Sequence, residues 1–335
     1  MANPPDSFRP LVAIARWFDS SAGAEKIRPD EPQKVDWVRS LPFFALHLAF
    51  LGPLWFGWSW FAVGFAIALY LVRMFAITGF YHRYFSHKTF KTSRAGQFLF
   101  ALLGNSATQR GPLWWASHHR EHHKHSDKPE DVHSPVQHGF LWSHIGWITS
   151  RPNFMTRFAS VPDLARFPEL RFLDRFDILV PLLLIAGSYG LGALLERLAP
   201  GLGTSGGQLA IWCLMSTVVL FHATCTINSL SHIFGKRRFE TTDHSRNNVW
   251  LAFLTLGEGW HNNHHHYPNS ARQGFYWWEI DLTFYTLKLL SWTGMIWDLK
   301  PVPVRVLESG RRRGRVTADP VRAGERRERA VSSRR

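Results

Sequence analysis

Cysteine is nearly absent: Cys213 and Cys225 are the only two in 335 residues, and both fall inside one apolar run. No disulfide framework follows, and thiolate ligation of a metal would need a third or fourth partner that is missing. Acidic residues are sparse, 25 against 39 Lys and Arg, for a formal net charge of +14. Met1 to Gln33 has no early apolar core, so it does not read as a signal peptide, and the first apolar run is expected to serve as its own insertion signal. What the chain does have is long apolar runs and 18 histidines.

Leu41 to Phe80 is apolar for about two membrane spans of roughly 20 residues each. It is interrupted only by His47, Arg73 and a Gly57-Trp58-Ser59 turn. A second pair, Phe176 to Leu198 and Gln208 to Leu230, is split by the Gly/Pro/Ser-rich connector Pro200 to Gly207. Spans are therefore expected at about 41–59, 60–80, 176–198 and 208–230, an all-α integral membrane protein of four helices in two hairpins. Everything before, between and after two hairpins lies on one side of the membrane. Lys/Arg bias places that side, with both termini, in the cytoplasm of a multi-pass cell-membrane protein. Ala95 to Ala107, about 13 residues, suits a buried or interfacial helix better than a span, and Gly274 to Leu299 reads as an amphipathic cap. Most of the 16 Trp are expected in an aromatic belt at the span ends.

From Arg305 to Arg335 eleven Arg face four acidic residues, a net of +7. The segment 302–335 is expected to be a disordered basic tail able to meet anionic lipid headgroups. Nucleic-acid binding is set aside, because no stacking module accompanies the charge.

Eight histidines fall in three boxes: His82 and His87; His119, His122 and His123; His261, His264 and His265. In the second and third boxes the spacing i, i+3, i+4 puts three imidazoles on one helix face. Hairpin parity puts all three boxes on one side, so they can converge. Neutral imidazole suits iron, copper, zinc and nickel, and eight ligands exceed what one ion takes, so two metals are implied. The nearest carboxylates, Glu121, Glu130, Asp131 and Glu258, are too few for a carboxylate-bridged bundle site. A hydrolytic zinc site would leave most of the histidines unexplained. His47, His118, His125, His133, His138, His144, His222, His244 and His266 fall outside the repeated spacing and default to structural or surface roles. On spacing alone His232, four residues after Asn228, could be either ligand or structural.

The set His82-x4-His87, His119-x2-His122-His123, Asn228-Ser-Leu-Ser-His232 and Gly257-Glu-Gly-Trp-His261-Asn-Asn-His264-His265 closely resembles the membrane-bound acyl-CoA delta-9 desaturases of the stearoyl-CoA desaturase family. The resemblance covers about Leu41 to Pro301, leaving 1–40 as an N-terminal cytosolic segment. The bacterial branch is closest, given His264-His265-His266-Tyr267-Pro268. It implies a cytosolic helical cap carrying a di-iron site ligated by His82, His87, His119, His122, His123, His232, His261, His264 and His265, with Asn228 reaching a metal through water. O2 is the implied co-substrate. No His-Pro-Gly-Gly cytochrome b5 signature is present, so electrons are expected from a separate ferredoxin, flavoprotein or cytochrome b5 type carrier.

Gln109 and Trp115 match residues lining the family's acyl tunnel, Tyr70 a position near its closed end, and Met74 a tunnel position where smaller residues are common. Ser117-His118 stands where many members have an Arg-Asp pair that meets coenzyme A, and Arg151-Pro152 stands for an Arg-Lys pair. The expected reaction is O2-dependent delta-9 desaturation of a C16 or C18 acyl-CoA, with acyl carrier protein or intact lipid as alternative carriers. A hydroxylase or ketolase is the enzymatic rival, told apart by product mass. A metal transporter would need ionisable residues deep in several spans, whereas these histidines cluster at span ends.

Overall fold

A computed structural model of the chain describes residues 9–22 and 31–318. Helix α1, Arg9–Ala15, precedes four helices long and apolar enough to cross a membrane: α2 (Trp37–Phe56), α3 (Trp60–Ser86), α6 (Leu179–Leu198) and α7 (Gly206–Leu230). Between the pairs lie α4 (Arg94–Asn105) and α5 (Pro112–His125). After them come α8 (His261–His266), α9 (Leu282–Trp292) and α10 (Val304–Ala318). The expected all-α architecture of two hairpins is what forms, with span ends shifted by a few residues.

Both hairpin turns sit together at the end remote from the boxes. Ser59 caps α3 and donates its hydroxyl to Gln208 Oε1 at 2.7 Å, while Gln208 Nε2 donates to the Phe56 carbonyl at 3.2 Å. Trp55, Trp58 and Trp60 are exposed there, and Trp37, Trp250, Trp277 and Trp292 are exposed toward the other end, two rings of the kind that mark membrane interfaces. Within the bundle Arg73 is buried and satisfied, donating to Thr217 Oγ1 at 2.6 Å, Ser216 Oγ at 2.8 Å and the Leu69 carbonyl at 3.1 Å.

Helix α3 spans 27 residues, about 40 Å at 1.5 Å per residue, and so outruns a hydrocarbon core of about 30 Å. Its last stretch, Ala76–Ser86, is π-helical. In an α-helix residues five apart lie about 140° apart around the axis, whereas the i to i+5 bonding of a π-helix brings them onto one face. His87 N donates to the His82 carbonyl at 3.3 Å, so this winding turns the first box inward. Past it, strand β1 (Lys91–Thr92) pairs antiparallel with β2 (Ile296–Trp297), fastening the end of the cap to the foot of α3. The core at this junction packs Phe80, Tyr81, Phe85, Phe100, Leu113 and Leu287. As expected, α4, at 12 residues, is too short to be a span, and α9 buries Thr283 and Leu287 while exposing Leu289 and Trp292.

The tail differs from expectation in its first half. Residues Val304–Ala318 are helical, because Val306 packs on Phe239, Phe275 and Tyr276, and Tyr276 Oη donates to the Leu307 carbonyl at 2.8 Å. The expectation of disorder for 319–335 lies outside the described residues.

Candidate metal centre

The nine histidines arrive from four elements and meet in two groups. His82, His87, His119, His123 and His264 form one, and His122, His232, His261 and His265 the other; within each, ligand atoms lie within 4.8 Å of one another. The H-x-x-H-H boxes on α5 and α8 each divide between the groups, so the two sit side by side. Asn228 is one turn before His232 on α7.

Carboxylates outside the groups fix the rings. His122 Nδ1 faces Asp131 Oδ2 at 2.9 Å, His232 Nδ1 faces Asp127 Oδ2 at 2.8 Å, and His265 Nδ1 faces Asp243 Oδ2 at 2.7 Å. His82 Nδ1 pairs with Glu258 Oε2, and Glu258 is held in turn by Arg83, which also bridges to Asp281. With Nδ1 engaged as donor, each Nε2 lone pair points into a group, the arrangement by which carboxylates orient metal-binding imidazoles. Burial, reinforced by the neighbouring imidazoles, holds His87, His119, His123, His261 and His264 well below the ordinary histidine range. Burial also takes His265 down to about 4 against the opposing pull of Asp243. For His122 burial acts downward too, but Asp131 overcomes it and the net shift is upward. Neutral, deprotonated nitrogen is the form a metal binds.

The donor set fits two cations. His82 Nε2 lies 3.0 Å from His264 Nε2, His123 Nε2 2.9 Å from His264 Nε2, His87 Nε2 2.8 Å from His119 Nε2, and His232 Nε2 3.1 Å from His261 Nε2. Two nitrogens about 2.1 Å from one ion stand about 3.0 Å apart at a right angle and about 3.4 Å apart when tetrahedral. These spacings favour more than four ligands per ion. His82 and His232 already give their Nδ1 protons to carboxylates, so their inward lone pairs meet a second nitrogen with little between them but room for a positive charge. His265 Nε2 is buried with no hydrogen-bond partner.

Sequence reasoning missed Asp127 and Asp243 and used Asp131 and Glu258 only as an argument about bridging. The available signal was an Asp at four and at eight residues past His123, on the turn that follows the box. The remaining histidines have other partners: His118 Nε2 meets the Met155 carbonyl at 3.1 Å, His138 Nε2 the Asp131 carbonyl at 3.1 Å, and His133 stacks on Trp147. His47, His222 and His144 form a chain of ring contacts at 2.9 and 3.0 Å beside the bundle.

A cavity of about 460 Å³ runs along this centre, within the roughly 300–1,000 Å³ usual for ligand sites. His119, Trp115, Gln109 and Asn228 line it, and Trp115 stacks on His119 with ring centroids 5.0 Å apart. From Asn228 down α7 to Cys213, also on its wall, is fifteen residues, about 22 Å of apolar depth. His118 reaches the cavity, but Tyr70, Met74, Ser117 and Arg151 are not among its lining residues. Tyr70 turns away to donate to the Leu254 carbonyl at 2.6 Å, and Met74 is fully buried in the core. Ser117 is buried with its hydroxyl on the Trp114 carbonyl, and Arg151 faces Glu31 at 3.5 Å.

A four-helix membrane bundle with a histidine-walled centre beside a deep apolar cavity defines a class of membrane enzyme acting on long alkyl chains. The model of the fatty acid desaturase family matches residues 58–290, and the chain belongs to that family. It is 38% identical over 275 residues to an sn-2 palmitoyl-lipid 9-desaturase of Nostoc sp. (strain 36), covering 80% of this chain and 91% of the relative. To an sn-1 stearoyl-lipid 9-desaturase of Anabaena variabilis it is 37% identical over 274 residues, 81% and 95%. To an acyl-CoA 5-desaturase of Anemone leveillei it is 37% identical over 292 residues, 83% and 86%.

Proposed function

We propose that this desaturase introduces a double bond at the delta-9 position of a saturated C16 or C18 acyl chain, using two irons, O2 and two external electrons. The observation that carries the reading is the pair of adjoining histidine groups, the first of which meets the wall of the cavity at His119. All nine histidines serve as ligands, with Asn228 acting through water, and the centre faces the cytoplasm. When bound, the irons would supply the oxidant: O2, two electrons and two protons from outside, together with one hydrogen from each of two adjacent methylenes, become two waters and an alkene.

The chain's own residues supply position and dryness. Trp115, packed on His119, holds the acyl chain against the first group, and Gln109, whose Nε2 donates to Thr224 Oγ1 at 2.9 Å, braces the same wall. Buried walls exclude bulk water, so the oxidant meets only the chosen carbons. The carboxylates keep His82, His122, His232 and His265 in the tautomer that turns Nε2 inward.

For the acyl carrier we favour an intact lipid over the coenzyme A expected from the sequence. The Nostoc and Anabaena relatives bear acyl-lipid names, and Ser117 and His118 are engaged by the Trp114 and Met155 carbonyls. The Anemone relative's name supports acyl-CoA as the second reading. The test is purified, iron-loaded protein with a reducing carrier, offered stearoyl lipid and stearoyl-CoA. The expected product is lighter by two hydrogens, formed from the lipid, and H264A should lose it together with bound iron. A product heavier by one oxygen would instead mean hydroxylation, and a wild-type rate from H264A would contradict the site.

A further inference from the structure

We propose that Arg39 anchors the phosphate of a phospholipid acyl donor at the mouth of the cavity, a reading that rests on the desaturase function above. Arg39 stands in the first turn of α2, is 6% exposed and lines the cavity. Neither Nη1 nor Nη2 has a hydrogen-bond partner. Its guanidinium lies over the Phe154 ring, 4.3 Å from Cζ to the centroid, which offers a π face and no acceptor oxygen. A guanidinium is always charged, and a buried one without an acceptor is costly. Arg73, buried within α3, shows how this fold can satisfy such a group without a ligand: every edge finds an oxygen.

The surroundings specify the missing partner. Arg110 lines the same cavity, and one carboxylate, Asp177, stands among the lining residues with its Oδ2 3.3 Å from Arg110 Nε, so a single acid faces both Arg39 and Arg110. The wall therefore carries a surplus of positive charge, and a planar fork with two open N–H edges matches two oxygens of one phosphate. Phe18, just after α1, and Leu182, on α6, line the cavity while remaining 57% and 47% exposed, so apolar side chains rim its opening there. That rim suits a donor arriving sideways from the bilayer, its phosphate on Arg39 and its acyl chain running past His119 toward Cys213. Arg39 is a positioning residue: by fixing the headgroup it fixes which carbons stand at the metal centre.

The test compares stearoyl phosphatidylglycerol with phosphate-free stearoyl monogalactosyldiacylglycerol in nanodiscs, with stearoyl-CoA as a third arm. Wild type should prefer the phospholipid by about tenfold or more in kcat/KM, the scale of a charge-assisted pair. R39M should lose that preference and spread the double-bond position, while keeping the iron content of wild type. R39K, which keeps the charge without the fork, should fall between them. Equal kcat/KM on both lipids in wild type overturns the proposal whether or not the variants fold. Full phospholipid preference in R39M overturns it as well. An Arg39-dependent preference for stearoyl-CoA would overturn the lipid as the source of the phosphate. No double bond on any of the three would instead sink the desaturase reading.

Discussion

His265 shows what one side chain carries in this centre: Nδ1 is held by Asp243 at 2.7 Å, and Nε2 is buried and turned inward with no partner. Asp243 is itself held by the Ser245 hydroxyl and backbone and by Thr241 Oγ1 at 2.8 Å, so it aims the imidazole as a fixed acceptor. Its loss should leave the fold and slacken the ring. Outer partners of metal-bound histidines are typically worth about 10–100-fold in affinity. D243A should accordingly release one of two irons at chelator concentrations that leave wild type loaded, with unchanged helicity by circular dichroism. Two irons retained as firmly as in wild type would deny Asp243 this role. At this scale the histidines that converge were legible from spacing and resemblance, because each box is local. The acids were not: Asp127 meets His232 across 105 residues and Asp243 meets His265 across a loop, and no period marks such contacts.

Among the elements, α5 and the foot of α3 position most of the centre, and each hides its means in the sequence. The spacing of His82 and His87 suits i to i+5 winding, yet composition gives no sign of a π-helix. Helix α5 starts at Pro112 after Gly111, where a side chain would collide with the Asp174 backbone. Asp174 closes this start, accepting from Trp114 N at 2.7 Å and from Thr156 Oγ1 at 2.6 Å. Burial drives its carboxyl up to about 6 from an ordinary 3.8, despite those bonds and with a further push from Asp177. Raised in the folded state, the group contributes stability fully below about pH 4 and loses it as pH rises through about 6. A shift of that size is worth on the order of 3 kcal/mol. The melting-temperature difference between D174N and wild type should therefore move in favour of Asn from pH 4 to pH 7. A difference that stays flat with pH would show that Asp174 ionises freely.

For the molecule as a whole, the decisive inference was parity. Two hairpins return every histidine box to one face, and that followed from counting apolar runs. The cavity was less legible: its wall is assembled from α2, α6, α7 and α5, and Tyr70 and Met74, expected along it, face elsewhere because α3 presents them to Leu254 and to the core. Fatty acid desaturation follows from family and fold together, and delta-9 placement is the finer claim. The fifteen-residue descent along α7 to Cys213, about 22 Å, gives room for the far half of a C18 chain below the centre. Filling its floor should shorten the preferred substrate. C213W, placed deep on that wall, should shift products from C18 toward C16 as read by chain-length profiling, and an unchanged profile would place the chain end elsewhere.

The most direct measurement is expression of the chain, with iron and a competent electron carrier, in a host that makes no unsaturated lipids. Double bonds are then located by mass spectrometry of derivatised fatty esters. The account predicts new C16 and C18 monoenes with the bond at carbon 9, absent when His264 is replaced by Ala. Lipids that stay wholly saturated, or that gain oxygen in place of losing hydrogen, would contradict it.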